Sequence, residues 1–193
     1  LQLVGDICPP STKGIIHVRY ATSGPVSGLQ RGKRISPGAY QRQIRKEAQP
    51  FLRDHEKRFK RFGFAFNGNL TNVEALTQLC REQYYDLETT TDTELLKNIL
   101  ALSIYNETNS SNSPPDIVRV FERVVQYLKR PTDDVYGSFA LLFLDALGNF
   151  AALPDPYKNR PLCYGENDKI FAVASETIAL QGIGITQWKF FEP

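Results

Sequence analysis

The chain has 193 residues, of which 41% are hydrophobic and 23% charged, enough for one globular domain with a sizeable core and unlike a disordered polymer. No apolar run approaches the ~20 residues that span a bilayer, and Leu1–Asp6 has neither the basic start nor the apolar core of a secretory signal, so membrane and secreted classes are set aside. Cys8, Cys80 and Cys163 are odd in number and widely spaced, which is neither a disulfide framework nor a zinc signature and suits a reducing cytoplasm, while the net charge of +2 argues neither way about nucleic acid.

Gly14–Tyr20 is β-branched and aromatic-rich and is closed by Ser23-Gly24-Pro25, which predicts a strand. The stretch from Gly28 to Glu47 sets six cationic residues (Arg31, Lys33, Arg34, Arg42, Arg45, Lys46) against Glu47 alone, and reads as a solvated insertion. Its sharper reading is a contact for a phosphorylated substrate or an acidic partner. Arg61–Phe66 predicts a second strand, ending in the polar turn Asn67-Gly68-Asn69.

Helices are expected next. Thr71-Asn72-Val73-Glu74 has capping-box spacing, with Val73, Leu76, Leu79 and Cys80 on one face behind it. Thr91-Asp92-Thr93-Glu94 repeats the device ahead of Leu95, Leu96, Ile99, Leu100 and Leu102. Asn106–Ser113 reads as a loop. Pro114-Pro115 then opens a third helix, with Ile117, Val118, Phe121, Val124, Val125 and Leu128 as its buried stripe.

The last third predicts strands. Ser138–Leu144 is apolar throughout, as for a strand covered on both faces. Asn149–Leu153, Pro161–Tyr164 and Lys169–Ala174 follow, then a short helix from Ser175 through Leu180 and a strand over Gln187–Phe191. There is no internal repeat. Helices flanked by strands indicate an α+β fold with layered sheets, not a βαβ succession.

Four segments in order carry a family likeness: His17-Val18-Arg19-Tyr20-Ala21-Thr22-Ser23-Gly24; Phe66-Asn67-Gly68-Asn69-Leu70-Thr71-Asn72; Thr90-Thr91-Asp92-Thr93-Glu94; and Asp155-Pro156 through Arg160-Pro161-Leu162 with Ala174-Ser175-Glu176-Thr177-Ile178-Ala179-Leu180. From about Gly14 to the C-terminus the chain resembles the class II glutaminase domain of amidophosphoribosyltransferases, in the N-terminal-nucleophile hydrolase superfamily. The resemblance implies a layered αββα sandwich in which the first strand–helix unit is missing from this chain. It makes residues 1–193 an N-terminally incomplete type 2 glutamine amidotransferase domain with no phosphoribosyltransferase domain.

A glutaminase must hold a free amino acid at both ends while attacking its side-chain amide. Arg19 offers a forked cation for the α-carboxylate, and Asp92, read as a helix N-cap, an anion for the ammonium. Each alone has a bland alternative, an ion pair or a cap. By resemblance, the Asn67 side chain and the Gly68 backbone N–H form an oxyanion hole, and Tyr20, Thr22 and Ser23 line the glutamine pocket. The implied nucleophile is a mature N-terminal cysteine whose α-amine acts as base, but Leu1 stands first here. Cys8 comes too late for that role, and Cys80 and Cys163 read as core. The sequence contains no methionine, so Leu1 is no guide to where the natural protein begins.

Two departures from the family pattern stand out. Phe66 replaces a histidine before Asn-Gly, as related asparagine-synthetase glutaminases allow. Pro154 and Lys158 replace the arginine before Asp155-Pro156 and the glycine two residues after it, which predicts a relaxed or rebuilt loop. The implied substrate is glutamine, and the implied partner a synthase domain or subunit that receives ammonia, by resemblance for phosphoribosyl pyrophosphate in purine biosynthesis. A non-catalytic homologue that binds glutamine or a partner protein is the alternative. We expect a cytoplasmic homo-oligomer with no cofactor, nucleic acid or membrane partner, and no metal, since His17 and His55 have no ligand spacing around them.

Overall fold

The computed structural model describes residues 12–18, 48–87, 91–108, 113–129 and 137–191. The strand expected over Gly14–Tyr20 does not form in its described part. Residues 13–18 pair with no strand of either sheet, and Ile16 and Val18 are 70% and 75% exposed. A β-branched pattern becomes a strand only beside a neighbour that takes up its backbone groups. The basic stretch Gly28–Glu47 lies outside the described residues.

The first sheet holds β1 (Phe51–Arg53), β2 (Phe62–Leu70), β3 (Gly137–Asp145) and β4 (Phe150–Pro154), antiparallel and in that order. Alternation along β2 sends Phe62, Phe64 and Phe66 to one face, where Phe139, Leu141 and Phe143 of β3 join them in the core. Three helices cover that face: α1 (Val73–Glu82), α2 (Asp92–Thr108) and α3 (Ile117–Leu128). Of these α2 is central. It buries Leu95, Leu96, Ile99, Leu100, Ala101, Leu102 and Ile104, more than one stripe, because it is enclosed by the sheet and its sister helices. Each large side chain of this kind contributes about 1.5–3 kcal/mol of burial.

Several boundaries depart from the expected ones. Asn72, not Thr71, caps α1; its Nδ2 donates to Tyr127 O at 3.1 Å, and its Oδ1 makes no cap bond. Thr91 does cap α2, its Oγ1 3.4 Å from Glu94 N, so Asp92 is the first residue of the helix. The loop expected from Asn106 begins later, since α2 continues to Thr108, whose hydroxyl returns to Ile104 O. In α3 the cap is Asp116, which accepts from Val118 N. The fully buried positions are Val120, Val124 and Leu128, one turn apart, while Val118 faces out.

On its second face β3 is less covered than the apolar run suggested: Ala140 is buried, but Leu142 and Leu144 are only half-buried. The second sheet runs β6-β5-β7, with β5 (Cys163–Glu166) between β6 (Phe171–Ala174) and β7 (Trp188–Phe190). The short helix α4 (Thr177–Gly182) packs Leu180 against Cys163 and Ile185. Each sheet thus carries its own helical layer and its own core.

Candidate functional site

The expected turn at Asn67-Gly68-Asn69 is instead the end of a strand. β2 runs through all three residues to Leu70, because β3 supplies partners from Phe62↔Asp145 to Leu70↔Gly137. Gly68 sits opposite Phe139 with φ +154°. A Cβ built there would lie 2.1 Å from Ser138 O and 2.5 Å from the Phe139 Cα, so only glycine fits.

Hydrogen-bond direction alternates along an antiparallel ladder, and here two side chains reveal its phase. Phe139 N and O both face away from β2: the N–H donates to Asp155 Oδ2 at 3.0 Å, and the carbonyl accepts from Asp155 N at 2.8 Å. The N–H groups of Phe66, Gly68 and Leu70 therefore point away from β3, past the end of the short strand β1. Phe66 N donates to Gln49 Oε1 at 2.7 Å, and Leu70 N donates to Asp92 Oδ2 at 2.8 Å. Between these two the Gly68 N–H has no acceptor among the described residues. Asn67 is exposed, with its side chain on the sheet face opposite the helices.

The geometry brings three of the six proposed site residues together. Asn67 and Gly68 are adjacent, and Asp92 is held to the same strand end through Leu70. Arg19, Tyr20 and Thr22 lie outside the described residues. Asp92 corrects one expectation: it is not the cap but the first helical residue, and one carboxylate oxygen already accepts a backbone N–H. A carboxylate in the first turn is also favoured by the helix dipole.

The loop after β4 is held by hydrogen bonds and is not relaxed. Asp155 is fully buried. Its Oδ1 accepts from Tyr157 N (2.9 Å), Asn159 N (3.4 Å) and Asn159 Nδ2 (3.5 Å), and its Oδ2 from Phe139 N and Arg160 N (3.4 Å). Lys158, where the resembled family has glycine, takes φ +52°. A lysine in this left-handed conformation is strained. Lys158→Gly is expected to raise stability by about 0.5–1 kcal/mol, relief of left-handed strain less the added freedom of the unfolded chain. Chemical denaturation would measure it.

Cys80 and Cys163 are both buried. Burial pushes the Cys80 thiol up, with the Glu94 charge adding to it, and burial likewise raises Cys163. Among the described residues no three His, Cys, Asp or Glu side chains gather as metal ligands, and no helix is long and apolar enough to cross a membrane.

Sequence reading missed Gln49, and named Asp155 within a family-like segment without giving it a role. Gln49 carried no signal, as a lone glutamine before Pro50. Asp155 carried one, because an Asp followed at short range by Pro and Asn marks a side-chain-organised turn.

Two antiparallel sheets, each backed by helices, are the architecture of the N-terminal-nucleophile hydrolase class. A solved structure bears this out: the Bacillus subtilis glutamine phosphoribosylpyrophosphate amidotransferase complexed with ADP and GMP superposes with a TM-score of 0.57 at 26% identity, covering 77% of this chain and 29% of that one. The family model for the glutamine amidotransferase domain matches residues 34–182, and the chain belongs to that family. Among curated relatives, the amidophosphoribosyltransferase of Haemophilus influenzae is 34% identical over 179 residues, 89% of this chain and 30% of that protein. The chloroplastic amidophosphoribosyltransferase 1 of Arabidopsis thaliana is 28% identical over 178 residues, 92% of this chain and 25% of that protein. The chain thus spans well under half the length of the relatives it matches.

Proposed function

We propose that this domain binds free glutamine at the end of β2 and hydrolyses it to glutamate and ammonia for transfer to an acceptor. The observation that supports this best is the Gly68 N–H, which meets no acceptor among the described residues while both its neighbours are occupied, with the Asn67 amide next to it. Thiolate attack on the glutamine amide carbon converts its carbonyl oxygen into an oxyanion. Two fixed N–H donors at that point stabilise the charge more in the transition state than in the bound substrate. Collapse then expels ammonia and leaves a thioester, which water hydrolyses to glutamate.

Arg19 holds the substrate carboxylate in this reading, Asp92 the ammonium, and Tyr20 and Thr22 line the pocket. By resemblance the nucleophile is an N-terminal cysteine. A synthase domain or subunit receives the ammonia, by the same resemblance for phosphoribosyl pyrophosphate in purine biosynthesis.

The test uses the full-length natural protein with its N-terminus sequenced. Glutamate release is expected, together with loss of glutamine affinity by about 10²-fold or more in Arg19→Ala, as when one partner of a desolvated charge pair is truncated. Unchanged affinity in Arg19→Ala would remove that residue from the pocket. Glutamine binding without turnover by the intact protein would mean a binding module.

A further inference from the structure

We infer that Asp155 is a positioning residue for the Gly68 N–H donor, acting through Phe139; what that donor stabilises rests on the glutaminase reading above. The physical chain is short. The Asp155 carboxylate is fully buried and accepts five hydrogen bonds, one of them from Phe139 N, while Asp155 N returns a bond to Phe139 O. The Ser138–Phe139 peptide is therefore gripped on the side away from β2. On its other side lies Gly68, so close that a single added carbon would fall 2.1 Å from Ser138 O.

No slack separates the two backbones. Whatever sets the position of Ser138–Phe139 sets the position of Gly68, and with it the direction of the Gly68 N–H. Gln49 and Asp92 hold the flanking amides of the same strand at Phe66 and Leu70, but neither touches Gly68. The strand end is thus fixed from both edges, and only the β3 edge acts on the glycine itself. A loop anchor alone would need bonds to residues 157–160; the bonding of Phe139 from both Asp155 N and Oδ2 is the part that a loop anchor does not require.

Asp155→Asn keeps the shape but replaces one accepting oxygen by an amide nitrogen, which cannot accept from Phe139 N and Arg160 N, or alternatively from the loop amides. In the full-length protein, with active sites counted by a covalent glutamine analogue, kcat per site is expected to fall about 10–100-fold with KM for glutamine within about threefold, the pattern of a lost transition-state contact. The Gly68 amide resonance in glycine-labelled protein is expected to move. Ile185→Ala, a core variant in the separate cluster of the second sheet, is the stability control and should change neither quantity at a matched loss of Tm.

Unchanged kcat per site together with an unmoved Gly68 resonance in Asp155→Asn would overturn the inference. If the parent protein does not hydrolyse glutamine, the glutaminase reading fails, and the Gly68 resonance alone decides the positioning role. If Asp155→Asn does not fold, Asn159→Ala loosens the same carboxylate at an exposed position. It should shift the Gly68 resonance by a smaller amount, and no shift there counts against the role.

Discussion

Gly68→Ala is expected to lower unfolding stability by about 3–5 kcal/mol, combining overpacking with backbone strain. The added methyl meets backbone rather than a flexible side chain: Ser138 O at 2.1 Å and the Phe139 Cα at 2.5 Å. Neither can yield without opening the β2–β3 ladder, which is the longest pairing in the sheet. Relief would come from rotating the Gly68 peptide, which also turns its N–H away from the site. Glutamine turnover per folded molecule should then fall by about 10²–10³-fold, as when one oxyanion donor is removed. Denaturation and active-site-normalised kinetics on the same sample separate the two effects. A stable Gly68→Ala protein with full turnover would refute both the close packing and the donor role.

Asp92 should show two losses that substitution can pull apart. Asp92→Ala removes the acceptor of Leu70 N, leaving a half-buried amide unpaired, and also the negative charge proposed to meet the substrate ammonium. A cost of about 1.5–3 kcal/mol in stability is expected for a lost charge-assisted hydrogen bond, with glutamine binding weakened about 10²-fold. Asp92→Asn keeps an oxygen for Leu70 and loses only the charge. Stability should stay near that of the parent while affinity still falls. Calorimetric titration with glutamine reads the second effect and thermal unfolding the first. Equal glutamine affinity in Asp92→Asn and the parent would show that Asp92 serves the strand end alone.

Much of the helical half was legible because its signals are local. Thr91 and Glu94 at capping distance, and apolar residues from Leu95 to Leu102, specify α2 without reference to anything distant. The Asn-Gly dipeptide was misread for the opposite reason. By itself it favours a hairpin turn, and only a partner strand seventy residues on, along β3, draws it into a ladder. Gly14–Tyr20 failed in the reverse sense, since its described residues have β-branched chemistry and no strand beside them. The Asp155 loop looked relaxed or rebuilt by residue type, yet a buried carboxylate holds it, with Lys158 in a left-handed conformation that a glycine would take freely.

The sequence by itself determined the α+β class and the helices, because periodicity and capping are short-range properties. Tertiary structure alone decided which amides are left open. Whether the Gly68 N–H is paired depends on the phase of the β2–β3 ladder, on Gln49 and Asp92 meeting its neighbours, and on Asp155 gripping Phe139. Those partners come from four separate stretches of chain. A hydrogen bond has no sequence signature until folding brings its donor and acceptor within about 3 Å.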